Sequence, residues 1–475
     1  MSLEQAVHEV DSLESLLSLL HDELDWPLES QWGQEDLTFE WSASELRVSD
    51  TAAQRLKDGA VYQLRDFPQT RQPWGIFLVE FNTPRIYVTS LRQILRGLVP
   101  NLHQASHLPS WNQENLLFIC TTRNYDRFTF AYFRGEKAPR AVLTTFSWEQ
   151  GETALRTLCE YNLEALRFPA DPGDVEGWLK EWRKAFNVER VTKEFFRAYR
   201  RIFESVESQV SGIEGEAKRL FVQKLFDRLM FVRFLEKKGW LAMGGRRDYL
   251  RALWESHQAE RRENPEANFY RERLKPLFFL GLSTSNEVNL IDIGRGGFLK
   301  TLIGDVPYLN GGLFEEEADD QDPRIVIPDE AIEPILVELF YRFNFTVTES
   351  TPLDIEVAVD PEMLGKIFEE LVTGRHETGS YYTPKPVVAF MCQESLKGYL
   401  KEAMPKESAT AIDHFLKERN PGKLSDPEAM LEALKRLRVC DPACGSGAYL
   451  LGMLHELLDL RACLFATHNL DAKTI

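Results

Sequence analysis

The chain has 475 residues, of which 43% are hydrophobic and 27% charged, and its formal net charge is −18. This is enough apolar material for about three domains, but no apolar run reaches the roughly 18 residues of a membrane span, and the acidic start Met1-Ser2-Leu3-Glu4 is no signal peptide. The six cysteines have no Cys-x-x-Cys spacing and no nearby paired histidines, which points to reduced thiols in a cytoplasmic protein and against a zinc site.

Along the chain, residues 1–175 alternate short hydrophobic runs with turns. The runs at 59–64, 74–81, 116–120 and 128–133 predict strands, and Ser90 to Leu98 predicts a helix between the second and third, an α/β pattern. Residues 176–350 read as mainly helical, with apolar positions at helical spacing from Phe221 to Leu235. Asp171-Pro172-Gly173 and Ser350-Thr351-Pro352 mark the boundaries of this block. A third block, 351–475, contains a charged, helical stretch at 407–438 between two distinctive elements.

The first of these is Gly379-Ser380-Tyr381-Tyr382-Thr383-Pro384. Thr383 suits an N-cap and Pro384 the first helical position, so the following helix would offer free N–H groups to a carboxylate. The second is Val439-Cys440-Asp441-Pro442-Ala443-Cys444-Gly445-Ser446-Gly447, which predicts a strand entering a glycine turn and then a helix. Glycines at 445 and 447 would let backbone N–H groups approach a nucleotide-like ligand. Asp441 would either hydrogen-bond a ligand's amino group or simply shape the turn before Pro442. Cys444 reads as a small packing residue, with no histidine placed to activate it.

The pair resembles motif X and motif I of amino-methylating DNA methyltransferases that use S-adenosylmethionine, in the order typical of gamma-type N6-adenine enzymes. The segments 360–369, 229–240 and 308–314 are similar to parts of large type IIG restriction–modification enzymes and of BREX and DISARM phage-defence methylases. The likeness runs from about Phe186 to Ile475. It implies an α/β and α multidomain protein with a nuclease-like α/β domain at 1–175, a helical spacer at 176–350, and the start of a Rossmann-like methyltransferase domain at 351–475, as though truncated. It also implies S-adenosylmethionine as cofactor, double-stranded DNA as partner, and cofactor contacts from Tyr382, Thr383, Pro384, Asp441, Pro442, Ala443, Cys444, Gly445, Ser446 and Gly447.

The family's catalytic tetrad, Asn/Asp/Ser-Pro-Pro-Tyr/Phe, does not occur: Asn264-Pro265-Glu266 and Asn420-Pro421-Gly422 both fail at the third position. The chain by itself is therefore expected to lack methyl transfer. Such enzymes often begin with a nuclease whose Asp and Glu-x-Lys lie on adjacent strands around Mg²⁺. Asp66 and Glu80 resemble that pair, but Asn82 stands where the lysine belongs. A non-catalytic scaffold for other restriction or phage-defence proteins is the remaining alternative, favoured by the acidic total. Against that total, Lys180 to Leu250 carries 17 basic and 10 acidic residues, either a solvated helix face or a local DNA contact.

Overall fold

The computed structural model describes residues 2–28, 37–46, 48–67, 74–98, 115–134, 142–152, 155–283, 298–309, 312–347, 354–359, 383, 385–444 and 447–468. The architecture is mixed α/β. Seven strands, β1 (Thr38–Ser42), β2 (Ala60–Leu64), β3 (Trp74–Phe81), β4 (Asn115–Thr122), β5 (Arg127–Arg134), β6 (Leu143–Glu149) and β7 (Asp354–Glu356), lie side by side in chain order. Pairing is antiparallel from β1 to β3 and from β4 to β6, and parallel at β3–β4 and β6–β7. The parallel step from β3 to β4 needs a crossover, and the helix α1 (Val88–Leu98) lies in it.

All eight residues of β3 and of β4 are buried, because the sheet is covered on both faces. One set of alternating side chains, Phe77, Val79, Leu116 and Phe118 among them, meets Leu91, Ile94, Leu95 and Leu98 of α1. The other set, with Leu78, Ile119, Phe128, Phe130, Phe146 and Trp148, joins a much larger core. That core also takes in α2 (Val175–Ala185), α3 (Val188–Gln209), α4 (Gly215–Lys237) and α5 (Tyr249–Arg261). Its densest point is aromatic: Trp74 and Trp178 meet edge to face at 4.9 Å, and Trp26 and Trp178 both donate to the Leu166 carbonyl, at 2.9 and 3.2 Å. The first two blocks of the sequence thus share one core.

The most deeply buried charged side chains of the helical block, Arg228, Arg233, His257 and Arg273 among them, are paired. Arg228 of α4 forks onto Asp320 at 2.7 and 2.9 Å and donates to the carbonyls of Leu313 and Glu315. It thereby fixes the turn that carries Gly312–Phe314, while Phe314 packs its ring against Phe231, 5.8 Å away. Two sequence segments picked out by resemblance, 229–240 and 308–314, are in contact for this reason. His257 and Asp329 form a second buried pair at 2.6 Å, and Asp329 also accepts from the Phe269 N–H. Although burial pushes the Asp329 carboxyl upward, these bonds hold it below the ordinary carboxylate range.

A separate core spans residues 388–464. In it α6 (Lys385–Ala403), α7 (Ala409–Glu418) and α8 (Pro427–Arg436) pack with α9 (Ala448–His468). The buried ion pair between Arg419 and Glu456 ties the end of α7 to α9.

The four hydrophobic runs and the helix expected before residue 134 are all present, as is the helical content of the second block. The strand expected at 439–441 has no ladder partner among the described residues: Val439 is 44% exposed and the first turn of α9 follows without a sheet beside it. A strand exists only by pairing, and no neighbouring strand is described there. No described helix is long and apolar enough to cross a membrane.

Removing Arg228 strands a buried carboxylate, so Arg228→Met should cost about 3–5 kcal/mol in urea unfolding. Adding Asp320→Leu should recover most of that loss. A double variant no more stable than the single one would show that the pair is not what holds the 312–320 turn.

Candidate cofactor site and the strand-end carboxylate

The cofactor candidates sit at two helix starts. Asp441 accepts from the Ala443 N–H at 3.0 Å through Oδ1, the short local bond of an Asx turn. Its other oxygen, Oδ2, is buried and has no hydrogen-bond partner among the described residues. Pro442, Ala443 and Cys444 are exposed. Gly447 closes the turn, donating to the Cys444 carbonyl at 2.8 Å with φ +85°, a left-handed conformation that glycine adopts without a Cβ penalty. Its carbonyl then accepts from Leu451 at 2.9 Å, the first helical bond of α9. Thr383 is half-buried and lies two residues before α6. Tyr382, Pro384, Gly445 and Ser446 lie outside the described residues.

The geometry of α6 and α9 decides whether these starts are neighbours. A Cβ on Gly452 would meet Val388 Cγ1 at 2.4 Å and Cys392 Sγ at 3.5 Å. One turn further on in each helix, Gln393 donates to Glu456 at 3.1 Å. With the Cys392 thiol also 3.7 Å from the Tyr449 carbonyl, these contacts bring α6 and α9 together near the N-terminal end of each, at Val388 and Gly452, five residues after Thr383 and Gly447. Helix starts carry unpaired N–H groups and positive dipole ends, which favour an anionic group. The unpartnered Asp441 oxygen is an acceptor ahead of α9, suited to an ammonium. An amino-acid moiety such as the methionine part of S-adenosylmethionine supplies both kinds of group, so the residues present fit it.

The N-terminal candidates, Asp66 and Glu80, are not brought together. Tyr62 pairs with Leu78 and Gln63 with Phe77 in the antiparallel β2–β3 ladder. Continuing that register places Ala60 opposite Glu80 and Asp66 opposite Trp74, about 20 Å from Glu80 at roughly 3.3 Å per residue. Asp66 is also exposed, whereas Glu80 is only 4% exposed. Asp66 follows β2, while the strand end beside Glu80 is the one preceded by Asp58. Glu80 Oε2 instead accepts from Lys57 at 2.8 Å and from the Tyr125 hydroxyl at 2.6 Å. Burial first, and this bond second, push the Tyr125 phenol well above its usual range. Glu80 Oε1 is buried without a partner among the described residues. Lys57 was not singled out from the sequence, and nothing local could have done so, since it lies 23 positions from Glu80. No group of three metal-ligating side chains occurs among the described residues.

Neither tetrad-like string behaves as a catalytic loop. Asn420 accepts from Gly422 at 2.9 Å, and Asn264 forms part of the turn after α5.

No family model matches the chain, and no solved structure matches it. A protein of Methanocaldococcus jannaschii, named as a type II restriction enzyme and methyltransferase, is 29% identical over 266 residues. The match covers 52% of this chain and 21% of that relative, so the chain spans about a fifth of the relative's length.

Because the Val388–Gly452 approach leaves no room for a side chain, Gly452→Leu should push α6 and α9 apart and cost about 1–3 kcal/mol. Thermal unfolding checks this: an unchanged midpoint would mean that the close approach does not hold the two helix starts together.

Proposed function

We propose that this chain is part of a restriction–modification methyltransferase that acts on double-stranded DNA, and that it contributes the amino-acid-binding side of an S-adenosylmethionine site. The observation that carries this is the close approach of α6 and α9 at Val388 and Gly452, near the start of each helix and a few residues after Thr383 and Gly447. The similarity to a relative named as a restriction enzyme and methyltransferase supports it independently. N6 of adenine is the acceptor suggested by the order of the two motifs.

Bound S-adenosylmethionine supplies an electrophilic methyl on a sulfonium. The residues present bind and orient; none is placed to accept a proton from an exocyclic amine. The helix starts after Thr383 and Gly447 would offer N–H groups to the cofactor's carboxylate, and Asp441 Oδ2 would accept from its α-ammonium. Fixing the donor in this way contributes orientation, a large share of the rate in a direct displacement on an extruded base. The groups that would hold the base's amino nitrogen belong to the Asn/Asp/Ser-Pro-Pro-Tyr/Phe tetrad, which this sequence lacks. The chain alone is accordingly a binding half and not a complete catalyst.

Calorimetry on a polypeptide that joins this chain to such a tetrad tests the proposal. S-adenosylmethionine should bind, and Gly447→Val, which forces a β-branched residue to positive φ, should weaken binding at least tenfold with little change in circular dichroism. Binding indifferent to that substitution, or methyl transfer by the present chain without the tetrad, would overturn it.

A second activity, Mg²⁺-dependent DNA cleavage, has one specific observation in its favour. Lys57 sets an ammonium 2.8 Å from Glu80, the cation that Asn82 does not provide, and Asp58 lies at the same end of the sheet. If that activity exists, nicking of supercoiled DNA in Mg²⁺ should fall at least a hundredfold in Glu80→Ala and be unaffected in Asp66→Ala. Nicking that survives Glu80→Ala would place it elsewhere.

A further inference from the structure

We infer that the hairpin following α4, residues 238–247, is a DNA-backbone contact, with Lys238 and Arg247 on phosphates and Trp240 against a sugar or base. This rests on the proposal that double-stranded DNA is the partner.

Residues 237–247 read Lys-Lys-Gly-Trp-Leu-Ala-Met-Gly-Gly-Arg-Arg, four basic side chains and no acidic one in a chain of net charge −18. The fold turns this string into a rigid projection. Gly239, at φ +73°, ends α4: its N–H bonds to Glu236 and that of Trp240 to Leu235, a Schellman closure. Leu241 is buried as an anchor, and Ala242 exchanges backbone hydrogen bonds with Asp305. Met243 and Arg246 then pair across Gly244 and Gly245, both at positive φ, the turn that a two-residue hairpin requires. Space around the tip is open, since a Cβ at either glycine would meet nothing within 4 Å.

The four cations have different duties. Lys237 is paired with Glu152, and Arg246 is committed to Asp248 and Glu255. Lys238 and Arg247 are exposed, and neither forms an ion pair among the described residues. This sets them apart from much of the basic helical block, where Arg197, Arg201, Arg219, Arg228 and Arg233 are all held by carboxylates. The positive balance of residues 180–250 is thus largely neutralised inside the fold, and the hairpin keeps its share. Beside it, Trp240 is 55% exposed with the Lys238 ammonium 5.5 Å from its ring centre. More than half of the indole is therefore open to solvent. Two free cations flanking an aromatic face on a glycine-tipped hairpin match a phosphodiester backbone: charge for phosphate, a flat apolar surface for sugar or base.

Fluorescence anisotropy with a labelled mixed-sequence duplex, over a series of salt concentrations, tests this on the full chain. Each phosphate contact contributes about 0.9 to the slope of log K against log salt. Lys238→Ala with Arg247→Ala should therefore lower the slope by about 1.8 and weaken binding at least tenfold at low salt. Trp240→Ala should weaken it roughly fivefold or more with the slope unchanged. The paired Arg197→Ala and Arg201→Ala serve as the control and should leave the slope as it is. Unchanged slope in the hairpin variant, with wild-type binding intact, overturns the hairpin contact and leaves DNA as the partner. No wild-type binding at low salt overturns both.

Discussion

The seven-stranded sheet must bury both of its faces, and most of what surrounds it follows from that requirement. One face is closed by α1, a short crossover helix. The other carries Phe128, Phe130, Phe146 and Trp148 and needs something larger. The helical block supplies it through Trp178, Trp182 and Phe186, so strands and helices far apart in sequence condense into one core. Each large aromatic ring removed from water contributes about 2–3 kcal/mol, which makes the sheet and the helices around it mutually dependent. A consequence reaches the strand ends. Glu80 lies on the face that the helical block covers, which is why its carboxylate is buried and leans on Lys57 and Tyr125.

Charge is managed by the same economy of burial. Arg228, Arg233 and His257 are nearly inaccessible, and each meets a carboxylate. Buried ions without partners would cost several kcal/mol each, so the helical block has consumed many of the cations that its composition seemed to offer to DNA. Cations outside these pairs remain for an outside partner, and Lys238 and Arg247 on the hairpin after α4 are two of them. An acidic protein can still meet a polyanion if its free cations are gathered at one projection instead of spread over a face.

The α6–α9 pair works by close approach. Gly452 lets Val388 come within van der Waals reach, so the first turns of the two helices pack directly on each other. Exposed apolar residues lie on both helices, Phe390 and Leu454 among them.

Much of this was legible in the residues. Runs of apolar, β-branched and aromatic side chains located β2 to β5, because a strand buried on both faces must be apolar throughout. The Asp441-Pro442 turn, the φ of Gly447 and the helices on either side of residue 420 follow from local backbone preferences that act over four or five residues. The strands β1, β6 and β7 escaped notice because they are polar, partly exposed or only three residues long, and take their form from neighbours. Long-range pairing alone decided the rest. Register, not spacing, separated Asp66 from Glu80 and delivered Lys57 to that carboxylate. Close packing, not motif order, brought Val388 of α6 against Gly452 of α9. Ion pairing across the helical block determined which of 17 basic residues stay free, because a sequence counts charges while only a fold assigns each one its partner.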